Sequence, residues 1–117
     1  MVNKNQENKI NQTLEGQFPQ MTEEFKKICT EQYDLFCAKM SNYGKGNIML
    51  GGDINDEEDR KLALKGITIR LNDKTNRLIN LLLKNKENVV NETIVDTFQD
   101  IINYSIIAMI IERQKWK

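Results

Sequence analysis

Four oxygen-bearing side chains, Glu92, Asp96, Asp100 and Asn103, recur at helical spacing in the last quarter of the chain. At about 100° per residue they fall within an arc of about 80° on a helix. Three carboxylates at i, i+4 and i+8 repel one another, so something has to compensate them. A divalent cation such as Mg²⁺ would do so. It prefers oxygen ligands and needs only one or two carboxylates besides substrate phosphates. Facing basic groups would also serve, and an earlier helical stretch offers them. Arg70, Lys74 and Arg77 lie within an arc of about 60° of one another. In one reading, the two stripes form an interhelical salt-bridge set. In the other, they border a groove where the bases hold phosphates and the acids hold metal or sugar hydroxyls.

A third set lies upstream, at Lys39, Tyr43, Gly44, Lys45 and Gly46. Glycine permits close backbone approach to a phosphate, and tyrosine can stack on a base. The set lacks the spacing of a P-loop, G-x-x-x-x-G-K-[ST]. The plainer reading is a helix stop followed by a linker. The candidate ligand-binding residues are therefore Lys39, Tyr43, Gly44, Arg70, Lys74, Arg77 and Asn103. The candidate metal ligands are Glu92, Asp96 and Asp100.

Composition narrows the chemistry further. The 117 residues include 17 Lys+Arg, 17 Asp+Glu and no histidine. Without histidine there is no Ser-His or Cys-His pair and no imidazole ligand. Two cysteines cannot complete a four-ligand structural zinc site. A net charge of zero argues against a general nucleic-acid coat. Cys29 and Cys37 stand eight residues apart on one expected helix. That is about 12 Å, too far for a mutual disulfide, and both read as small core side chains. The polar start of the chain lacks the apolar stretch of a signal peptide. The apolar run Ile101 to Ile111 is shorter than the roughly 20 residues that span a bilayer. A cytoplasmic location with no membrane partner is the expectation.

Three main helices must position these residues, which makes the chain an all-α bundle. Residues 1–20 read as a polar arm and residues 21–117 as one helical domain. In the first helix Thr22 is the expected N-cap, and Phe25, Ile28, Cys29, Phe36 and Met40 form the apolar stripe. Gly44 is the expected left-handed stop. Residues 44–55 hold four glycines and read as a loop long enough to be functional. Asp56 caps the second helix, whose stripe is Leu64, Ile67, Leu71, Leu78 and Leu82, with a break or close approach expected near Gly66. Residues 85–88 form a turn. The third helix runs from near Asn91 to about Gln114, with a core stripe of Ile94, Phe98, Ile101, Ile102, Ser105 and Met109. Ile106, Ile107, Met109, Ile110 and Ile111 cover nearly its whole circumference. A helix apolar all round must be buried all round. This points to a homo-oligomer with the C-terminal helix at the interface.

Tyr33 and Phe36, Lys39, Tyr43-Gly44, Arg70, Lys74, Arg77-Leu78, Glu92, Asp96-Thr97, Asp100 and Asn103-Tyr104 together resemble the nucleotide modification associated domain 1 family. The resemblance covers residues 25 to 112, and its most specific string runs from Asn91 to Tyr104. It implies a small helical protein of phage type, and a nucleotide as ligand more firmly than any reaction. With no sound catalytic set, such a protein would act by sequestering a signalling nucleotide of host defence. The acidic face is also similar to that of all-α nucleoside triphosphate pyrophosphohydrolases, which bind Mg²⁺ through E-x-x-E and E-x-x-D motifs. Here Glu92 and Asp96 are i, i+4, and the upstream pair is only the adjacent Glu57 and Glu58. Adjacent residues diverge on a helix, which puts hydrolysis in doubt. A non-catalytic interaction module is the third reading.

Overall fold

The structure, a computed structural model, describes residues 3–117; Met1 and Val2, the first two residues of the expected arm, lie outside them. Five helices run in the order α1 (Lys4–Gln17), α2 (Pro19–Tyr43), α3 (Gly46–Met49), α4 (Glu57–Leu78) and α5 (Ile94–Glu112), with a π-helical segment, Ile79–Leu83, at the end of α4. No strand occurs among the described residues. The chain divides into two compact units inside α2, the first ending at Leu35 and the second running from Phe36 to Lys117.

The first unit contains a helix where a polar arm is expected. Asn3 and Gln6 form a capping box: the Asn3 side-chain Oδ1 accepts from the Gln6 N–H at 2.9 Å, and the Gln6 side-chain Oε1 accepts from the Asn3 N–H at 3.2 Å. Two of the otherwise orphaned N–H groups at the helix start are thereby satisfied. Pro19 then opens α2, since its missing N–H costs nothing at a first helical position. Thr22 is therefore inside the first turn rather than its cap. Its hydroxyl donates back to the carbonyls of Phe18 and Pro19 at 3.0 and 3.2 Å. The α1 helix buries none of its residues. Phe25, Ile28 and Cys29, expected in the core, are exposed, and so is Cys37. Periodicity correctly locates a helix face but says nothing about whether another element covers it.

The second unit holds the core: Ile48, Ile54, Ala63, Ile67, Ile107, Ile111 and Trp116, with Phe36, Met40, Leu64, Leu71 and Tyr104 packed against them. Gly44 ends α2 at φ +71° as expected, its N–H bonded to the Met40 carbonyl at 2.9 Å. The glycine-rich segment is not a loose loop. It contains α3, turns through Leu50 and Gly51 at positive φ, and is pinned to the start of α4. Asp59 accepts from the Asp53 N–H at 2.8 Å, and Arg60 donates to the Ile54 carbonyl at 2.9 Å. Close approach falls at Gly52, where a Cβ would come 3.0 Å from the Met49 carbonyl, and not at Gly66, which has open space. Asp56 caps α4 by accepting from the Asp59 N–H at 3.0 Å. Its apolar stripe is as expected through Leu64, Ile67, Leu71 and Leu78, while Leu82 is exposed.

The α5 helix is rotated from its expected setting. Its buried residues are Thr97, Asn103, Ile107 and Ile111. Val95, Phe98, Ile102, Ile106 and Met109 are exposed. The side of the helix that carries Asp100 thus faces α4, while Asp96 and Glu112 are exposed and much of the expected core stripe faces out. Counting apolar residues could not select the inner face, because nearly every direction around this helix is apolar. The ion pairs with α4 select it. The run Ile101 to Ile111 belongs to this 19-residue helix, which is long and apolar enough, by length and composition only, to cross a membrane.

Candidate functional site

The two expected stripes meet in part: Lys74 and Arg77 of α4 form a ladder with Glu92, just before α5, and Asp100 within it, while Arg70 and Asp96 stay outside it. Lys74 Nζ lies 2.8 Å from Asp100 Oδ2 and 3.2 Å from Glu92 Oε1. Lys39, on α2, closes the ladder at 2.7 Å from Asp100 Oδ1. Arg77 Nη1 donates to Thr97 Oγ1 at 2.7 Å, and Nη2 donates to the Glu92 carbonyl at 2.6 Å and to Asn88 Oδ1 at 3.1 Å. Thr97 is fully buried, so Arg77 satisfies a hydroxyl that has no access to water. Lys74 and Arg77 are thereby committed to holding α4, α5 and their connection together.

These contacts shift the titrations. Burial pushes the Asp100 carboxyl up, but hydrogen bonds from Lys39 and Lys74, with their charges, outweigh burial and hold it below the usual carboxylate range. Lys74 is raised above its ordinary value, chiefly by its hydrogen bond to Asp100, against the opposing effect of burial. Asp96 belongs to a different device. It accepts from the Thr93 N–H at 2.9 Å, while Thr93 accepts from the Asp96 N–H at 3.0 Å. The hydrogen bonds that its carboxyl accepts from Thr93, the backbone one first, lower its titration, and the reciprocal pair caps α5. The three expected metal ligands are thus divided, two in the ladder and one in a cap. No group of three or more acidic or thiol side chains among the described residues is arranged to hold a metal ion.

Beside the ladder lies a cavity of about 380 Å³. Phe36, Lys39, Met40 and Tyr43 of α2 form one wall, and Asn47 and Ile48 of α3 another. Arg70 of α4 and Asp100, Asn103, Tyr104 and Ile107 of α5 complete it. The Arg70 guanidinium lies over the Tyr104 ring, 5.6 Å from its centroid. That stacking occupies the face of the guanidinium and leaves its edge of N–H donors available. Among the described residues Arg70 has no carboxylate partner. Behind this wall Trp116 packs edge-on against Phe36, with ring centroids 6.1 Å apart. Its indole N–H donates to the Lys45 carbonyl at 3.0 Å, fixing the segment that carries Asn47.

Four of the seven expected ligand residues, Lys39, Tyr43, Arg70 and Asn103, line this cavity. Lys74 and Arg77 do not, and Gly44 acts as a helix stop. Asn47, Ile48 and Ile107 were not foreseen as site residues. No local signal could reveal them, since a lone asparagine and two isoleucines acquire a role only when four helices converge. Tyr104 was legible only as part of the family string.

The molecule is thus a small all-α protein whose helices converge on a cavity of mixed apolar, amide and cationic lining. The chain belongs to the nucleotide modification associated domain 1 family, whose model matches residues 39–111. That span contains α3, α4, nearly all of α5 and every cavity residue except Phe36, and it leaves out α1 and most of α2. No curated protein and no solved structure matches the chain at a significant level.

Proposed function

We propose that the chain binds a nucleotide carrying a single phosphate group in the cavity between α2, α4 and α5. The observation that carries this reading is Arg70, a guanidinium at the cavity wall with its face on Tyr104 and no described carboxylate partner. Its free edge suits two parallel hydrogen bonds to one phosphate. A chain of three phosphates would need several free cations or a metal. Here Lys39, Lys74 and Arg77 are already offset by Asp100 and Glu92. The volume falls within the range of small-ligand pockets. Phe36, Met40 and Ile107 offer an apolar surface to the base, Tyr43 a stacking ring at the rim, and Asn47 and Asn103 amides for hydrogen bonding.

Family membership supports the ligand class, since the family's description ties it to nucleotide modification. Binding without turnover is favoured over Mg²⁺-dependent hydrolysis because Glu92 and Asp100 are neutralised by cations and Asp96 is spent on a cap. The role this suits is capture of a nucleotide or nucleotide-derived signal, of the kind a phage would withhold from host defence. Isothermal titration with nucleoside mono- and triphosphates, with and without Mg²⁺, tests it. The expected result is tighter binding of a monophosphate, with unaltered ligand recovered after heat release. Conversion of the ligand, or triphosphate binding that depends on Mg²⁺, would favour the hydrolase reading instead. No thermal stabilisation by any nucleotide would leave the interaction module standing.

A further inference from the structure

Gly66 stands in the interior of α4, where glycine costs helix stability relative to alanine. Close packing is a common reason for such a glycine, and it does not apply here. Beyond its chain neighbours and its own helical backbone, no atom of the described residues lies within 4 Å of the position a Cβ would take. The missing side chain leaves a notch instead, a cavity of about 70 Å³. Met49 and Leu50, where α3 ends, form one side of it, and Leu62 and Gly66 of α4 the other. The two leucines do little for the core. Leu62 is 68% exposed, and Leu50 is 81% exposed with its backbone in the left-handed region, at φ +51°. That conformation is uncommon for a bulky residue and is found at ligand clamps.

The notch adjoins the cavity that α2, α3, α4 and α5 enclose. Asn47, Ile48 and Arg70 line both. Arg70 follows Gly66 by four residues, about one helical turn, so the two stand on one side of α4. A phosphate held on the edge of this guanidinium lies at the boundary between a large compartment and a small one. Charge gives a second, independent constraint. A phosphate monoester carries between about 1.5 and 2 negative charges near neutrality, and a diester about one. The charged side chains that line the larger cavity are Lys39, Asp100 and Arg70, and Lys39 is paired with Asp100. One guanidinium is left, and it balances the single charge of a diester.

We infer that the ligand is a phosphodiester, a nucleotide whose phosphate also bears a small apolar group, and that the notch at Gly66 receives that group. This rests on the nucleotide reading above and narrows it. The nucleoside occupies the larger cavity, the phosphate sits at Arg70, and the second ester group enters the notch. The lining supplied by Met49, Leu50, Leu62 and Ile67 suits an alkyl group better than water. With about 70 Å³ available, a few non-hydrogen atoms fit and a second base does not.

The test is isothermal titration of the full chain with adenosine, guanosine, cytidine and uridine monophosphates and with the ethyl ester of each phosphate. Gly66→Ala and Leu62→Ala are the variants. The expected result is a base for which the ethyl diester binds roughly tenfold tighter than the monoester, as its added carbons leave water. Gly66→Ala should erase most of that preference, because its methyl group fills part of the notch. Its melting temperature should rise by a few degrees, since alanine is the better helix former and meets no clash. A lost preference together with a gain in stability separates a subsite from general damage to the fold. Leu62→Ala should lower the preference by removing one flank of the notch. A parent chain that binds the monoester as tightly as its diester would overturn the inference and leave the nucleotide reading standing. So would a preference that neither variant moves, or a Gly66→Ala chain that loses affinity for both forms by the same factor. A parent chain that binds neither form of any of these nucleotides would overturn both.

Discussion

Arg70 and Arg77 lie seven residues apart on one helix, yet the fold gives them different work. Arg77 spends its donors on Thr97, Asn88 and the Glu92 carbonyl, whereas Arg70 keeps its edge at the cavity. Arg70→Ala should therefore weaken monophosphate binding by about 2–3 kcal/mol, on the order of a hundredfold, with little change in melting temperature. Isothermal titration beside a thermal melt checks both halves. Arg70→Lys should recover only part of the affinity, because an ammonium cannot make the paired contacts or stack in the same way. Arg77→Ala should do the opposite. It should lower stability by about 2–3 kcal/mol in urea denaturation, because buried Thr97 loses its strong donor. Residue type and helical spacing nominated both arginines equally. Only the partners each one meets tell binding from scaffolding.

At the scale of the elements, caps and ion pairs decide where helices start and which side they turn inward. The Thr93–Asp96 box fixes the start of α5. Thr93→Ala should cost about 1 kcal/mol of stability, seen as a lower urea midpoint with an unchanged slope. The ladder fixes the rotation of α5 about its axis. Lys74 and Asp100 should couple in a double-mutant cycle, whereas Arg70 and Asp96, which share no contact, should contribute additively. Coupling between the latter pair would mean that the inward face of α5 is set differently. The cap at Asp56 and the stop at Gly44 were legible in the sequence because both are local: one side chain and one backbone angle suffice. The start of α2 falls four residues before the one that a Thr22 cap implies, because a threonine cap and a proline at the first helical position are both sound helix openers. The chain uses the proline, whose ring is already set at the helical φ.

For the whole molecule the absence of histidine becomes a statement about pH. Asp100 and Asp96 titrate below the ordinary 3.8, so their contribution is present above that value and lost as pH falls through their folded-state pKa values. Lys74 titrates above 10.5, so its contribution is complete below that value and lost as pH rises through its folded-state pKa. Stability should be flat across neutrality and decline at both extremes, which urea midpoints measured from pH 3 to pH 11 would reveal. A step between pH 6 and 7 would contradict it. An all-α chain, its family, its zero net charge and its paired acidic and basic stripes are all set by local chemistry, by residue type and by helical spacing, and each could be read without coordinates. Which side of α5 faces inward, and which arginine of α4 keeps its edge at the cavity, were decided only by the tertiary structure. The physical reason lies in α5, which is apolar around most of its circumference. Burial alone cannot choose its rotation, and the choice falls to ion pairs with residues up to 61 positions away in sequence.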